Sequence, residues 1–242
     1  YASWNWKAGG AAVPNTDGDD GDMGVTVSAN STAGFSIVKW TGSGVTNTVG
    51  HGLSTAPELI ICKNLSNTAS WAVGSTTVGW TKALYLDNAA ASDTSADYWN
   101  DAPPDASVFT VKSSSTTNTA TDEYIAYCFS PIEGYSKFGT FSANGVVDGP
   151  FIYTGFKPAY SIIKMYYASG GDEWNIEDNA RDTYNPLSKY LVADANNAEI
   201  DASKADIDFV SNGIKIRNSD NGWNNDPYDF LYLAFAESPF KY

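Results

Sequence analysis

The chain has 242 residues, of which 14% are aromatic and only 17% charged, and its formal net charge is −14. Its 14 Lys and Arg residues stand among 28 Asp and Glu residues, so it lacks the cationic clusters that bind nucleic-acid phosphates or anionic membranes. No apolar run reaches the roughly 18 residues that a membrane-spanning helix needs. We therefore expect an ordered protein that neither binds nucleic acid nor inserts into a membrane.

Residues 1–34 precede the first repeated pattern. Trp4 and Trp6 stand in this segment, and we interpret them as docking it against an upstream domain or a neighbouring subunit.

The same segment contains an acid-rich stretch in which Asp17, Asp19 and Asp22 alternate with glycine turns. Carboxylates in such a pattern can wrap oxygen ligands around Ca²⁺. The stretch does not fit an EF-hand loop, because Asp20 stands where the invariant Gly belongs and Thr26 where the bidentate Glu belongs. A solvated acidic turn is the favoured interpretation, and a calcium site is the alternative.

Residues 35–134 form the first predicted repeat. Alternating apolar residues indicate strands at 35–40 and 107–112, and a continuous apolar run indicates a buried strand at 59–62. A short helix is predicted around residues 89–97.

Residues 135–242 form the second predicted repeat. Strands are predicted at 160–163 and 207–210, and a second short helix around residues 186–195. We therefore predict an all-β protein, built as two related antiparallel β-sandwich lobes of jelly-roll type with few short helices.

The two repeats follow one another in the same order of motifs. Trp40 and Phe141 differ by 101 positions, as do several later pairs, and the offset drifts to 106 at Phe129 and Phe235. Duplication followed by loop insertions produces such an offset, and a period this long corresponds to a domain instead of a solenoid turn.

Four aromatic residues have no counterpart in the other repeat: Trp80, Tyr98, Trp99 and Trp223. They stand among Asn and Asp in predicted loops, where an aromatic face can stack on a sugar ring. We take them as the candidate ligand-binding residues, with a buried loop anchor or a subunit contact as the alternatives for each.

Other residue types favour structural roles over chemistry. Cys62 and Cys128 match Ile163 and Ala234, which predicts buried fillers more than a disulfide or metal pair. The single histidine, His51, is interpreted as a turn residue, and no catalytic residues are predicted.

Several short blocks carry a resemblance that covers nearly the whole chain. They span residues 4–10, 27–38, 49–53, 127–129, 134–139, 148–151 and 234–241. These blocks resemble a family of duplicated domains near the C-termini of tailed-phage structural proteins, notably tail fibres of aquatic phages. The resemblance implies a virion module and supplies no catalytic motif.

We therefore expect a non-enzymatic phage virion protein in a tail fibre or other external appendage. Its expected partners are other virion subunits, in a homo-oligomer for which a trimer is one option, and host surface carbohydrate. No cofactor is assigned, and Ca²⁺ remains the alternative at Asp17, Asp19 and Asp22. Two other functions stay open: a carbohydrate-active enzyme or its sugar-binding domain, and a purely architectural capsid-decoration or connector domain.

Overall fold

β-Strands make up nearly all of the regular structure in a computed structural model, which describes residues 3–18, 23–167, 172–202 and 205–237. Within these residues the sheets are antiparallel throughout, and the two helices have four residues each. The predicted all-β class is confirmed. None of the helices in the described ranges is long and apolar enough to cross a membrane.

The chain divides into two units. The N-terminal unit comprises Asn5–Leu86 and Ser92–Pro131, and the C-terminal unit comprises Tyr1–Trp4, Asp87–Ala91 and Ile132–Tyr242. The division after Pro131 lies close to the predicted boundary between residues 134 and 135.

The N-terminal unit is built on a large sheet and a small sheet. Its elements are β1 (Val13–Pro14), β2 (Thr26–Asn30), β3 (Phe35–Thr41), β4 (Asn47–Gly50), β5 (Leu59–Asn64), β6 (Ala72–Ser75), β7 (Lys82–Tyr85), β8 (Asp93–Thr94), α1 (Ala96–Trp99), β9 (Val108–Val111) and β10 (Glu123–Phe129). The large sheet has the order β1-β2-β3-β10-β5-β6-β7-β8, and β4 pairs with β9 in the small one. Val38 and Trp40, which share a face of β3, pack in one core with Phe109 and Val111 of β9. The core therefore lies between the two sheets.

The C-terminal unit has a similar construction. Its elements are β11 (Ser136–Ser142), β12 (Phe151–Tyr153), β13 (Pro158–Met165), β14 (Trp174–Asp178), β15 (Lys189–Val192), β16 (Ile200–Asp201), β17 (Ile207–Val210), β18 (Gly213–Ile216), α2 (Asn221–Asn224) and β19 (Asp229–Ala236). The large sheet has the order β11-β19-β13-β14-β15-β16, and the small sheet the order β12-β18-β17. Ile163 and Tyr232 of the large sheet pack in one core with Ile214 and Phe209 of the small sheet.

The order of strands is the same in both large sheets. Strands β3-β10-β5-β6-β7-β8 of the N-terminal unit correspond to β11-β19-β13-β14-β15-β16 of the C-terminal unit. The ladders also agree residue by residue, because Cys62 pairs with Ala72 across β5 and β6 as Ile163 pairs with Asn175 across β13 and β14. This agreement supports the predicted duplication, which as a statement about origin remains a prediction.

A buried asparagine holds the same turn in each unit. Asn118 donates from Nδ2 to the Val45 carbonyl at 2.6 Å, and its Oδ1 accepts from the Ser43 amide at 2.8 Å. Asn224 donates to the Val146 carbonyl at 2.8 Å, and its Oδ1 accepts from the Asn144 amide at 2.8 Å. These side chains satisfy turn groups that strand pairing leaves without partners.

Three predicted segments differ from the structure. Residues 186–195 contain β15 instead of a helix, because Lys189–Val192 pairs with both β14 and β16. The helix predicted at 89–97 begins later, at Ala96, where Ser95 caps it by accepting from the Asp97 amide. Residues 1–34 are not wholly separate from the first repeat, since Thr26–Asn30 pairs with β3.

His51 and both cysteines have structural surroundings. His51 is buried, accepts from the Leu53 amide through Nδ1, and has a lowered pKa because burial disfavours the imidazolium. Thr154 makes the matching contact in the C-terminal unit, accepting from the Phe156 amide. Cys62 and Cys128 are free thiols buried in the core, as predicted, and burial raises the pKa of each.

Candidate functional site

Three of the four predicted ligand-binding residues lie inside the N-terminal unit. Trp80 is 5% exposed, Tyr98 8% and Trp99 0%, so none offers a ring face to solvent. Trp80 and Trp99 meet edge to face at 5.6 Å, and Tyr98 donates its hydroxyl to the Asp93 carboxylate. The prediction that these three rings are exposed for stacking on a sugar is therefore wrong, and they are buried residues of the core.

These rings fill the space above Gly74 of β6. A Cβ on Gly74 would lie 2.8 Å from an atom of the Trp99 ring and closer still to the ring of Trp80. Ala72, the next residue on that face of the strand, is also fully buried. The core side of β6 is therefore small and apolar, and two indole rings cover it.

The fourth predicted residue, Trp223, lies in the C-terminal unit and is also buried, at 2% exposure. Its ring packs edge-on against Tyr190 at 4.7 Å, and its Nε1 donates to the Glu177 carboxylate. Trp223 nevertheless lines an open cleft beside the start of α2.

This cleft has a volume of about 280 Å³ and is mainly polar. Strands β14 and β15, the two residues before β14, and the first residues of α2 contribute most of its wall. The lining residues are Asp172, Glu173, Asn175, Tyr190, Val192, Asn197, Ile200, Asp220, Asn221, Gly222 and Trp223.

Two buried polar side chains of β14 support the cleft from within. Asn175, 2% exposed, lines it and donates from Nδ2 to the Gly222 carbonyl at 3.1 Å. Glu177, 1% exposed, lies behind Trp223, where it accepts from the Trp223 indole and from the Ser161 hydroxyl. Burial raises the pKa of Glu177 to about 7, and the hydrogen bonds from Trp223 and Ser161 oppose that rise.

The register of the ladders identifies what occupies these positions in the N-terminal unit. Asn175 corresponds to Ala72 and Glu177 to Gly74, since the partner strands pair in the same way. A buried carboxylate and a buried amide cost free energy unless other interactions repay them. A buried polar pair at positions where the corresponding strand of the N-terminal unit has Ala and Gly is therefore typical of a functional site.

Carboxylates stand at the rim of the cleft. Asp172 and Glu173 directly precede β14, and Asp220 caps α2 by accepting from the Gly222 amide at 3.1 Å. The pKa of Asp172 is raised to about 7, mainly by burial and also by its hydrogen bond with the Glu173 side chain. The Asp172 Oδ2 and Asp220 Oδ1 atoms lie 3.9 Å and 3.6 Å from where a Cβ on Gly222 would stand, so both border the same small volume.

A buried lysine holds this part of the rim in place. Lys164 is 0% exposed, donates from Nζ to the Asp172 carbonyl and to the Ala89 carbonyl, and lies 5.7 Å from the centroid of the Trp174 ring. Burial lowers the pKa of Lys164 to about 8, although nearby carboxylates, Asp194 first, oppose that shift.

The N-terminal unit has a matching lysine and tryptophan. Lys63 donates from Nζ to the Ala69 carbonyl and lies 5.8 Å from the Trp71 ring centroid. The lysine and tryptophan therefore stabilise the hairpin in both units, and in the C-terminal unit that hairpin also presents Asp172.

Of the three residues predicted to bind calcium, the structure describes only Asp17. Asp17 is exposed, and its amide donates to Asn15 Oδ1. Asp19 and Asp22 lie outside the described residues, so the calcium alternative stays a prediction. Within the described ranges, no group of three His, Cys, Asp or Glu side chains has an arrangement that could hold a metal ion.

The site residues predicted from the sequence do not include Asn175, Glu177 or Asp172, although the long region 172–182, in which all three lie, was a place where ion or receptor specificity could differ. The signal was available, because aligning Trp71 with Trp174 also places Ala72 opposite Asn175 and Gly74 opposite Glu177. A buried polar residue in one unit that matches a small apolar residue in the other indicates a candidate site in the unit with the polar residue.

Comparison with curated proteins found no match, and comparison with solved structures found none either. A family model described as a domain of unknown function (DUF7483) matches residues 1–239. Because this match spans nearly the whole sequence, the chain belongs to the DUF7483 family.

Proposed function

We propose that this protein is a non-enzymatic virion structural module of a phage tail fibre or appendage, and that its C-terminal unit binds host surface glycans. The observation that carries the binding proposal is the pair Asn175 and Glu177, buried at the cleft where the N-terminal unit has Ala72 and Gly74. The resemblance to tailed-phage structural proteins over nearly the whole sequence supports the virion context.

The chemistry of the cleft suits a sugar. Carboxylate and amide groups of Asp172, Asp220 and Asn197 line the cleft together with Trp223, and these groups can form hydrogen bonds with the hydroxyl groups of a sugar. Small-molecule pockets usually measure about 300–1,000 Å³, so a cleft of about 280 Å³ is suited to a single sugar residue of a longer glycan.

Weak binding at one small cleft is compatible with adhesion. Several copies on one appendage would raise the apparent affinity by about 10²–10⁴-fold through effective concentration. An adhesion module therefore needs neither a deep pocket nor a catalytic group.

The test is saturation-transfer NMR against a panel of neutral, amino and N-acetylated oligosaccharides. We expect the wild type to bind at least one of them, and Asn175→Ala, which copies the N-terminal unit, to weaken that binding by about tenfold or more, equivalent to about 1.4 kcal/mol. The matched control is Tyr184→Ala, because Tyr184 is 83% exposed and lies outside the cleft.

Circular dichroism of each variant separates lost binding from lost folding. If the folded wild type binds no glycan of the panel or of host envelope material, the adhesion proposal is wrong, and the architectural alternative takes its place.

A second candidate function rests on the two rim carboxylates. Glycoside hydrolysis uses a pair of carboxyl groups about 5–9.5 Å apart, one of them protonated near neutral pH. Asp172 and Asp220 border one small volume, and the pKa of Asp172 is raised to about 7. If the wild type releases reducing ends from oligosaccharides and Asp172→Asn does not, a carbohydrate-active enzyme is favoured. If the wild type binds oligosaccharides but releases no reducing ends, the adhesion module is favoured.

A further inference from the structure

The first strands of the two small sheets differ on the side that faces away from the core. Val49 of β4 and Ile152 of β12 belong to the cores of their units, so the residues on either side of each point outward. Those outward residues are Thr48 and Gly50 in β4, and Phe151 and Tyr153 in β12. Both strands end directly before the matched turns at 51–53 and 154–156, so the two pairs occupy corresponding positions.

In the N-terminal unit, residues 15–18 cover this side of β4. The Thr48 hydroxyl donates to the Gly18 carbonyl, and a Cβ on Gly50 would stand 2.8 Å from the Asp17 carbonyl oxygen. The small residues of β4 therefore leave space that the chain itself fills.

In the C-terminal unit, two aromatic rings occupy this side of β12 and remain accessible. Phe151 is 48% exposed and Tyr153 is 59% exposed. The Phe151 ring lies against Gly213 of β18, where a Cβ would stand 2.8 Å from it. The Lys137 Nζ lies 4.9 Å from the Tyr153 ring centroid and donates to the Tyr153 carbonyl at 2.9 Å. Each ring is therefore held by a neighbouring group while about half of its residue stays open to solvent.

Lys137 supplies a positive charge beside these rings. Among the residues that the structure describes, it forms no ion pair, and its ammonium group donates to the Tyr153 carbonyl. An ammonium group has three donors, so donors remain for a ligand. Lys215, in contrast, pairs with Asp148 at 2.6 Å, which neutralises its charge.

The accessible area of the two rings favours a small ligand over a protein partner. An aromatic side chain buries about 150–250 Å² when fully covered, so two rings that are about half exposed offer about 200 Å². A specific protein interface buries about 800 Å² on each partner. The rings are therefore of the right size for one or two sugar residues.

We propose that Phe151, Tyr153 and Lys137 form a second glycan-binding surface of the C-terminal unit, which takes an acidic sugar such as a hexuronate. The rings offer apolar area to the C–H groups of a pyranose, and the Lys137 ammonium can donate a charge-assisted hydrogen bond to the carboxylate. This inference rests on the proposed glycan-binding function, but its residues lie outside the cleft.

The net charge of −14 does not prevent this local pairing. At an ionic strength of 0.15 M the Debye length is about 8 Å, so distant carboxylates are largely screened while a contacting ammonium group is not. The sign of the preference is therefore set by Lys137.

The test is isothermal titration calorimetry at pH 7 with a hexuronate oligomer and the neutral hexose oligomer of the same length and linkage. We expect the wild type to bind the hexuronate oligomer about tenfold more tightly. Lys137→Gln should reduce this preference to twofold or less. Lys7→Gln, which removes the same charge from an exposed residue of the N-terminal unit, should leave it near tenfold.

Variants of the rings test the stacking surface. We expect Phe151→Ala and Tyr153→Ala each to weaken binding of both oligomers by about tenfold, and Tyr184→Ala, which removes an exposed ring elsewhere, to change it by less than twofold. Asn175→Ala should leave hexuronate binding unchanged, which separates this surface from the cleft. Circular dichroism confirms that each variant is folded.

The contrary outcomes are distinct. Equal binding of the two oligomers, or equal effects of Lys137→Gln and Lys7→Gln, would overturn the selection of an acidic sugar. Hexuronate binding that survives both ring variants would overturn the surface itself, as would ring variants that dissociate an oligomer in light scattering, because the rings would then be subunit contacts. A sugar of the wider panel bound through Asn175 would keep the proposed function in each case. If no sugar binds at all, the proposed function also fails.

Discussion

The two units share one order of strands but use the core side of one strand differently. In the N-terminal unit, Ala72 and Gly74 of β6 leave room that Trp80 and Trp99 fill. In the C-terminal unit, the matching strand β14 carries a buried amide and a buried carboxylate beside an open cleft. The two units therefore differ at this strand, because aromatic rings fill the space beside β6 whereas polar side chains stand at a cleft beside β14.

The largest expected effect is the loss of stability when a large aromatic side chain is removed from the core of the N-terminal unit. Trp99→Ala removes a fully buried indole that packs on Trp80 and Gly74, so we expect the free energy of unfolding to fall by about 3–5 kcal/mol. Urea denaturation followed by circular dichroism measures it. Tyr184→Ala is the control, with a change within about 0.5 kcal/mol, and a Trp99→Ala loss that small would contradict the assigned role.

The next effect is the pH dependence of the stability of the C-terminal unit. The pKa of Glu177 is raised from 4.5 to about 7, so the folded state holds more protons than the unfolded state in this range. The contribution to stability is complete below pH 4.5 and is lost as pH rises through 7, by about 3 kcal/mol at 1.36 kcal/mol per unit. Asp172, whose pKa is also raised to about 7, contributes a fall of the same sign.

Glu177→Gln removes the Glu177 part of this dependence and keeps an amide oxygen for Trp223. We expect the variant to lose less stability than the wild type between pH 5 and 8 in denaturation experiments. Glu123→Gln in the N-terminal unit is the control of opposite sign, because hydrogen bonds from Lys39 and Thr41 lower the pKa of Glu123. Parallel pH profiles for the wild type and Glu177→Gln would show that Glu177 ionises normally.

A smaller loss of stability is expected when one carbon is added to the core of the N-terminal unit. Gly74→Ala places a Cβ within 2.8 Å of the Trp99 ring, and such overpacking costs about 1–3 kcal/mol. The cost should shrink when Trp80→Phe is combined with it, as a double-mutant cycle in urea would reveal. An unchanged cost in the double variant would mean that the rings do not compete for this space.

The smallest effect compares the two buried hairpin lysines. Lys164→Met removes the donor that holds the Asp172 carbonyl, and we expect glycan affinity to fall by about threefold because a less firmly held rim binds less well. Lys63→Met removes the matching donor in the N-terminal unit, which contributes no residue to the cleft, and should leave affinity unchanged. Calorimetry with the same oligosaccharide tests both, and equal losses would argue against positioning of the rim by Lys164.

Much of the fold could be predicted from local patterns. Alternation along residues 35–40 and the continuous apolar run at 59–62 correspond to β3 and β5, because a strand face buried on a core selects apolar residues with a period of two. The strand at 189–192 was predicted as a helix, since its short apolar pattern is compatible with either structure and only pairing with β14 decides.

The candidate site was predicted less well. Trp80, Tyr98, Trp99 and Trp223 were chosen because they stand among polar residues in predicted loops, yet all four rings are buried. Loop position in the sequence does not determine exposure, which depends on whether a neighbouring strand leaves space, as Gly74 does for Trp80 and Trp99.

By itself, the sequence determined the all-β class, the repeated order of motifs and the structural character of His51 and the two cysteines, because these follow from local periodicity, turn chemistry and residue matching. Only the tertiary structure decided where the cleft of the C-terminal unit lies. That property depends on which side chains from β14, β15 and α2 meet around Asn175 and Trp223. Such convergence of distant segments leaves no local pattern in the chain.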